Sequence, residues 1–457
     1  AELLGVIARM YLGIGDYREA LALSERQRHL LAGDSGAPAG LRLDAASQHG
    51  RVLRLLSRSQ ECIARMQPLA EAAQRLEAGL PQQAADFYTQ YGRCQRMLGQ
   101  PHAARQWYER AIALRREPLH DDVGVAEGMI DLAVLESDAA HTGAAIDRLR
   151  ATQHRLRARL ADRHPLMVEI QRSLGALYLD RGQAAEAERA LRSGLALSME
   201  LHGPGHPSTL AVRRQLGQAY LQLGRLAEAE QALQAQHGPT EALLGPQHRE
   251  TALSLDALGR LALERGDADA AAAYFQRAVQ IWLQPDGRHL LEYGLIDLAL
   301  AQRAHGEAAL ARATLEEARK VRVARLGASH PAVGDLDRRM GEMLLDAGEI
   351  DAALTWLQRG SELTGVGYGP DDPRTRQAQL ALARWQAARG DGGVALERFA
   401  AALPGDDPTL APLAWEARAY AAQAHCSAGD ARLGSGRLHA LDAELRSARP
   451  EGGRLAR

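Results

Sequence analysis

Apolar residues in this chain recur at helical spacing rather than in alternation. In residues 203 to 233, GPGHPSTLAVRRQLGQAYLQLGRLAEAEQAL, leucines and alanines keep a helical rhythm up to Gly224 and resume it from Leu226 to Leu233. The break between them predicts a turn, so the stretch reads as a hairpin of two amphipathic helices. Gly217 and Ala229 are then the small residues that let the helices approach, with Tyr220 and Leu233 filling the groove beside them.

The pattern repeats along nearly the whole chain. The small residue of the first helix recurs at Ala8, Gly50, Gly92, Ala133, Gly175, Gly217, Gly259, Ala299, Gly341, Ala383 and Ala422, mostly 42 residues apart. A second small residue follows twelve positions later each time, from Ala20 and Cys62 to Ala395 and Gly434. Connections between units carry GPGHPST at 203 to 209, GPQHRET at 245 to 251, GASHPAV at 327 to 333 and GPDDPRT at 369 to 375, with ADRHP at 161 to 165 as a weaker copy. A His or Asp before Pro suits a helix N-cap followed by proline in the first helical position, where no backbone donor is lost.

This pattern resembles the tetratricopeptide repeat, in the 42-residue form of the kinesin-light-chain type. The expected fold is all-α, a superhelical solenoid of about eleven helical hairpins. The unbroken period predicts one continuous solenoid over residues 1–446 and a polar tail over 447–457. Departures mark expected irregularities: Glu136 stands where Tyr178 and Tyr220 stand in their repeats, Pro68 interrupts a second helix, and HGPT at 237 to 240 should break another. The last unit, with Gly429, Gly434 and Gly436, is the least regular.

Composition narrows the function. At 46% hydrophobic but 4% aromatic residues, the core is built of small aliphatic side chains. A net charge of −2 gives no general drive toward nucleic acid or an anionic membrane. No run of about 20 apolar residues suggests a membrane span. The opening AELLGVIARMY has neither an initiator Met nor the layout of a signal peptide, which suggests a soluble region of a longer protein. Lys320 is the sole lysine and asparagine is absent, a bias we attribute to a GC-rich bacterial genome.

Motifs of catalysis are missing: there is no GxSxG, HExxH, GxxxxGK[ST] or kinase signature set. GVGYG at 365 to 369 falls where each repeat has its linker. Histidines 164, 206, 248 and 330 recur one per repeat, on the order of 10 Å apart by ordinary helix packing. That is too far to share an ion bound at about 2.0 to 2.1 Å, so capping is their expected role. No catalytic residue, metal or cofactor is expected. Cys62, Cys94 and Cys426 lack metal-site spacing; Cys62 and Cys94 lie on adjacent repeats and are either small core residues or a disulfide.

What remains is a surface. First helices line the concave wall in tetratricopeptide arrays, which the resemblance carries over to this chain. Repeat two offers Asp44, Gln48, Arg51 and Arg54 there, and repeat three offers Asp86, Gln90, Arg93 and Arg96 in the same order. Repeats four and five turn acidic, with Glu127, Asp131, Asp138, Glu169 and Asp180, and Arg338, Arg339, Glu342 and Asp346 are mixed. Aligned arginines suit a carboxylate or phosphate through paired hydrogen bonds. The alternative is a solvated face on which Asp44 pairs with Arg51 and Asp86 with Arg93. The candidate ligand-binding groove is therefore Gln48, Arg51, Arg54, Gln90, Arg93 and Arg96, and the candidate partner is a protein or peptide with an acidic or C-terminal segment. Chaperone-clamp relatives also use Lys and Asn, which are missing here.

Long Arg- and Ala-rich arrays of this kind resemble the regions C-terminal to bacterial serine/threonine protein kinase domains. That resemblance implies the sensory part of a kinase signalling protein, leaning toward a periplasmic region of a membrane-anchored protein. The other reading is a stand-alone cytoplasmic regulator or assembly scaffold.

Overall fold

The computed structural model describes residues 1–138, 142–158, 163–391, 393–403 and 410–448. Within them the regular structure is helical, with no strand. The tail beyond 448, and residues 161 and 162 of the ADRHP stretch, lie outside the described residues, as does the side chain of Asp138. Helices alternate in antiparallel pairs, from Glu2–Ile14 with Tyr17–Ala32 to Ala411–Ser427 with Ala431–Ala448. Every marker of the sequence pattern falls on the first helix of its pair.

The small residues do what their spacing requires. A Cβ placed on Gly217 would lie 2.6 Å from Leu233 Cδ2, and one on Gly259 would lie 2.6 Å from Phe275 Cε1. Ala8, Ala133, Ala20, Ala104, Ala187 and Ala229 are fully buried at the equivalent approach points. Where Glu136 replaces the expected tyrosine, its carboxylate takes Arg148 Nε at 2.9 Å, so an ion pair fills the site of a ring.

Caps fix the helix starts. His164, His206, His248 and His330 each accept through Nδ1 the amide N–H two residues on, at 3.1 to 3.2 Å, and Asp372 Oδ1 accepts that of Arg374 at 2.9 Å. Pro165, Pro207, Pro331 and Pro373 occupy the first helical position after four of them. These bonds satisfy amide groups that a helix start leaves without an internal partner.

Of the two expected breaks, one occurs. Ser59–Met66 ends at a short 3₁₀ turn, Gln67–Leu69, carrying Pro68, and the helix restarts as Ala70–Leu76. The HGPT expectation is corrected: helix Leu226–Leu244 runs straight through Pro239. Proline orphans the carbonyl four residues earlier, which here is that of Ala235, and Arg213 Nη1 from the neighbouring helix donates to it at 3.4 Å.

The helices gather into two compact units. The first holds residues 1–222, 227–257 and 277–290, and the second holds 223–226, 258–276 and the chain from 291 onward. The first unit contains a disulfide between Cys62 and Cys94, joining the second helix of repeat two to the first helix of repeat three. Within this unit the chain also returns on itself. Pro207 lies against Gly15, His206 bonds the Gly13 backbone, and His248 Nε2 meets the Leu55 carbonyl at 2.9 Å. His248 therefore starts one helix with Nδ1 and closes the end of Ala39–Leu55 with Nε2.

Candidate functional site

The helices Ala39–Leu55 and Pro81–Met97 of the first unit carry the six groove residues expected from sequence. Arg51 and Arg93 sit one residue past the marker and Arg54 and Arg96 four past it, so the two pairs repeat on neighbouring helices. The structure brings them together: Arg54 feels the charges of Arg93, Arg51 and Arg96. Burial and that crowding pull its guanidinium down to about 9. Burial and then Arg93 lower Arg51 likewise. Arginine keeps its proton at neutral pH under such influences, so the strain appears as uncompensated positive potential. Arg51 is solvent-exposed although protein surrounds it on most sides, which places it in a recess that water still reaches.

The four arginines have unequal surroundings. Arg93 donates through Nε to Asp131 at 3.0 Å and through Nη2 to Glu127 at 2.9 Å. Burial opposes its charge, and Asp131 and Glu127 more than restore it, holding it well above the ordinary value. Among the described residues no carboxylate pairs with Arg51, Arg54 or Arg96, and the Nε atoms of Arg54 and Arg96 are buried with no hydrogen-bond partner. Gln48 is committed to the fold, donating to the Gly5 carbonyl at 2.8 Å and accepting from Arg9. Gln90 is buried with its Oε1 unpartnered.

Asp44 and Asp86 do not pair with Arg51 and Arg93, the arginines of their own helices. Asp86 takes Arg115 Nη2 at 2.8 Å. Asp44 has its carboxyl pushed up by burial and by Asp86. The acidic repeats are neutralised locally. Glu127 resists the upward push of burial because Arg93 and Arg115 pull it down to about 2, and Glu169 meets Arg172 at 2.7 Å.

Sequence reasoning missed Arg172, Arg214, Arg249 and Glu250, which belong to the same wall. Arg214 and Arg249 flank Glu250 at 3.4 and 3.1 Å, and Arg249 feels Arg96 of repeat three. A signal existed, because Arg172 and Arg214 share one offset, three residues before their markers. Arg338 of the second unit shares it and is paired with two carboxylates, Asp335 at 2.8 Å and Glu342 at 2.6 Å. Asp346 there likewise takes Arg303 at 3.2 Å and Arg384 at 2.7 Å. Surplus cations thus concentrate on repeats two and three. Among the described residues no cluster of metal-ligating type occurs, and no helix is long and apolar enough to cross a membrane.

Family models for the tetratricopeptide repeat match residues 85–118, 162–235 and 251–284. The chain carries tetratricopeptide repeats. Among solved structures, a Rap protein is 14% identical over 80% of this chain and 98% of its own, with a TM-score of 0.60. The quorum sensor NprR from B. thuringiensis is 12% identical over 70% of this chain and 86% of its own, with a TM-score of 0.50. Kinesin light chain repeats of Podosopora anserina are 23% identical over 43% of this chain and 94% of theirs, with a TM-score of 0.35. No curated protein matches the chain.

Proposed function

We propose that the inner wall of repeats two and three binds an acidic or C-terminal peptide segment, so that this chain acts as a non-catalytic peptide- or protein-binding region. The observation that carries the reading is the set of three guanidiniums, Arg51, Arg54 and Arg96, that pair with no carboxylate among the described residues, on a wall where Arg93, Arg172 and Arg214 have theirs. A natural protein gains little by crowding like charges in a recess, and an anionic ligand relieves them through charge-assisted hydrogen bonds.

Two settings fit this activity. The resemblance of the Arg- and Ala-rich array to regions beside bacterial serine/threonine kinase domains supports the ligand-sensing or adaptor part of such a signalling protein. The likeness in fold to a Rap protein solved with Competence and Sporulation Factor, and to the quorum sensor NprR, supports a stand-alone regulator.

Fluorescence anisotropy tests the binding reading with three labelled hexapeptides of one length: Asp/Glu-rich, Lys-rich and Gly/Ser. The acidic peptide should bind at least tenfold more tightly than the other two, and more weakly as salt rises. Equal binding of all three, or none, would refute it.

A further inference from the structure

Seven residues past the marker, where the first helix ends, nine repeats from Gly15 to Gly429 place a glycine with φ between 70° and 104°. Repeat two has Ser57 there, held at φ 56°. A side chain in the left-handed region is strained, and such strain gathers at sites of function. Glycine serves the same turn in the other nine, so the turn itself does not call for a hydroxyl.

Ser57 lines a cavity of about 460 Å³, formed where the chain of the first unit returns on itself. Leu56 and Ser57 follow the Leu55 carbonyl that His248 meets, and Gln247 and Arg249 stand on either side of His248. Helix Ser59–Met66 packs against the turn Pro285–Gly287, and both contribute to the lining together with Ile281. The lining is more apolar than polar, and a cavity of this size with a few polar groups suits a small ligand.

Its charges decide the ligand. Among the described residues, Arg58, Glu61 and Arg249 are the charged side chains of the lining. Arg58 donates to Glu61 through Nε at 2.9 Å and Nη2 at 2.6 Å, and the two cancel. Arg249 has no carboxylate to itself: it shares Glu250 with Arg214, at 3.1 and 3.4 Å, and its Nε has no hydrogen-bond partner. Burial pulls its guanidinium below the ordinary value; Glu250 opposes that, while the charges of Arg96, Arg214 and Arg172 add to it. The cavity thus combines an apolar lining, one cation in excess and a hydroxyl.

We propose that this cavity binds a small organic acid, whose anionic group is held by Arg249 and the Ser57 hydroxyl while its apolar body lies against Leu56, Ile281 and Pro285. The occupant touches repeat two and repeat seven together, so it binds only the chain that has returned on itself and stabilises that return. The site stands at the connections between helices and does not depend on the peptide reading of the wall.

The probe is anilinonaphthalene sulfonate, an organic acid that fluoresces in apolar surroundings, displaced from the full chain by phenylacetate or by its neutral counterpart phenylacetamide. Phenylacetate should be the better competitor by about tenfold or more. Ala64→Trp, which fills the cavity from an exposed position on Ser59–Met66, should abolish the displaceable fluorescence. Ser57→Gly should raise the urea midpoint by relieving the strain and weaken phenylacetate binding by about tenfold. No displaceable fluorescence, equal competition by acid and amide, or fluorescence that persists in a folded Ala64→Trp chain would overturn the inference. So would a Ser57→Gly chain that gains stability and keeps its affinity. If the Asp/Glu hexapeptide displaces the dye as well as phenylacetate does, and folded Arg54→Glu with Arg96→Glu loses that displacement, the dye lies in the groove, and the inference fails while the groove reading stands.

Discussion

Arg93 Nε donates to both carboxylate oxygens of Asp131 at 3.0 Å, joining repeat three to repeat four and taking one of four aligned arginines out of the surplus. Asp131 is buried. Asp131→Ala should therefore have two effects. Leaving Arg93 with only Glu127 should cost on the order of 3 kcal/mol, read by urea unfolding, and it should tighten binding of an acidic peptide. A stable variant with unchanged affinity would mean that Arg93 does not contribute to the potential of the wall.

Overpacking tests the register of the hairpins. Ala229 is fully buried beside the contact of Gly217 with Leu233. Ala229→Leu should cost about 1 to 3 kcal/mol; a variant as stable as the parent in urea would contradict the close approach.

Much of this was legible in the sequence because each repeat solves the same local problem. The 42-residue period, the paired small residues and the His-Pro caps concern atoms within one hairpin or its neighbour. Pro239 was misread because its rescue comes from Arg213 on another helix, across 22 residues. The pairs that equal offsets on one helix suggested do not form for a related reason: Asp86 takes Arg115 from the second helix of its repeat, and Arg93 takes Asp131 from the next repeat. The return of His248 to Leu55 spans 193 residues and leaves no periodic trace.

Histidines should make the fold acid-sensitive before its carboxylates titrate. Burial, then Arg28, pull His49 down to about 4, while its Nδ1 lies 3.0 Å from Ser24 Oγ. Burial likewise lowers His206, helped by His202, and His330, helped by Arg325. A group with a folded pKa below its unfolded value contributes stability that is full above the unfolded value and is lost as pH falls toward the folded one. The loss should begin near pH 6.5 and continue to about pH 4, read as falling urea midpoints across that range. His330→Asp, copying the Asp372 cap, should remove its share of the loss. A flat profile from pH 7 to pH 5 would contradict the capping assignment.

The disulfide closes a loop of 32 residues. By loop-closure entropy, Cys62→Ser with Cys94→Ser should lower stability by about 3 to 4 kcal/mol. Thiol titration of the unfolded, unreduced chain should find Cys426 alone. Three reactive thiols, with no stability change on adding reductant, would contradict the pairing.

The central claim is that Arg54 and Arg96 hold an anionic peptide segment. Both are half-buried cations that pair with no carboxylate among the described residues, on adjacent first helices. The direct measurement is the affinity of the labelled Asp/Glu hexapeptide for the parent and for Arg54→Glu with Arg96→Glu, with circular dichroism to show that the variant is folded. The account predicts a loss of more than about tenfold, equal to roughly 1.4 kcal/mol, and a weaker salt dependence in the variant. A folded double variant that binds the peptide as tightly as the parent would show that these arginines are a solvated face.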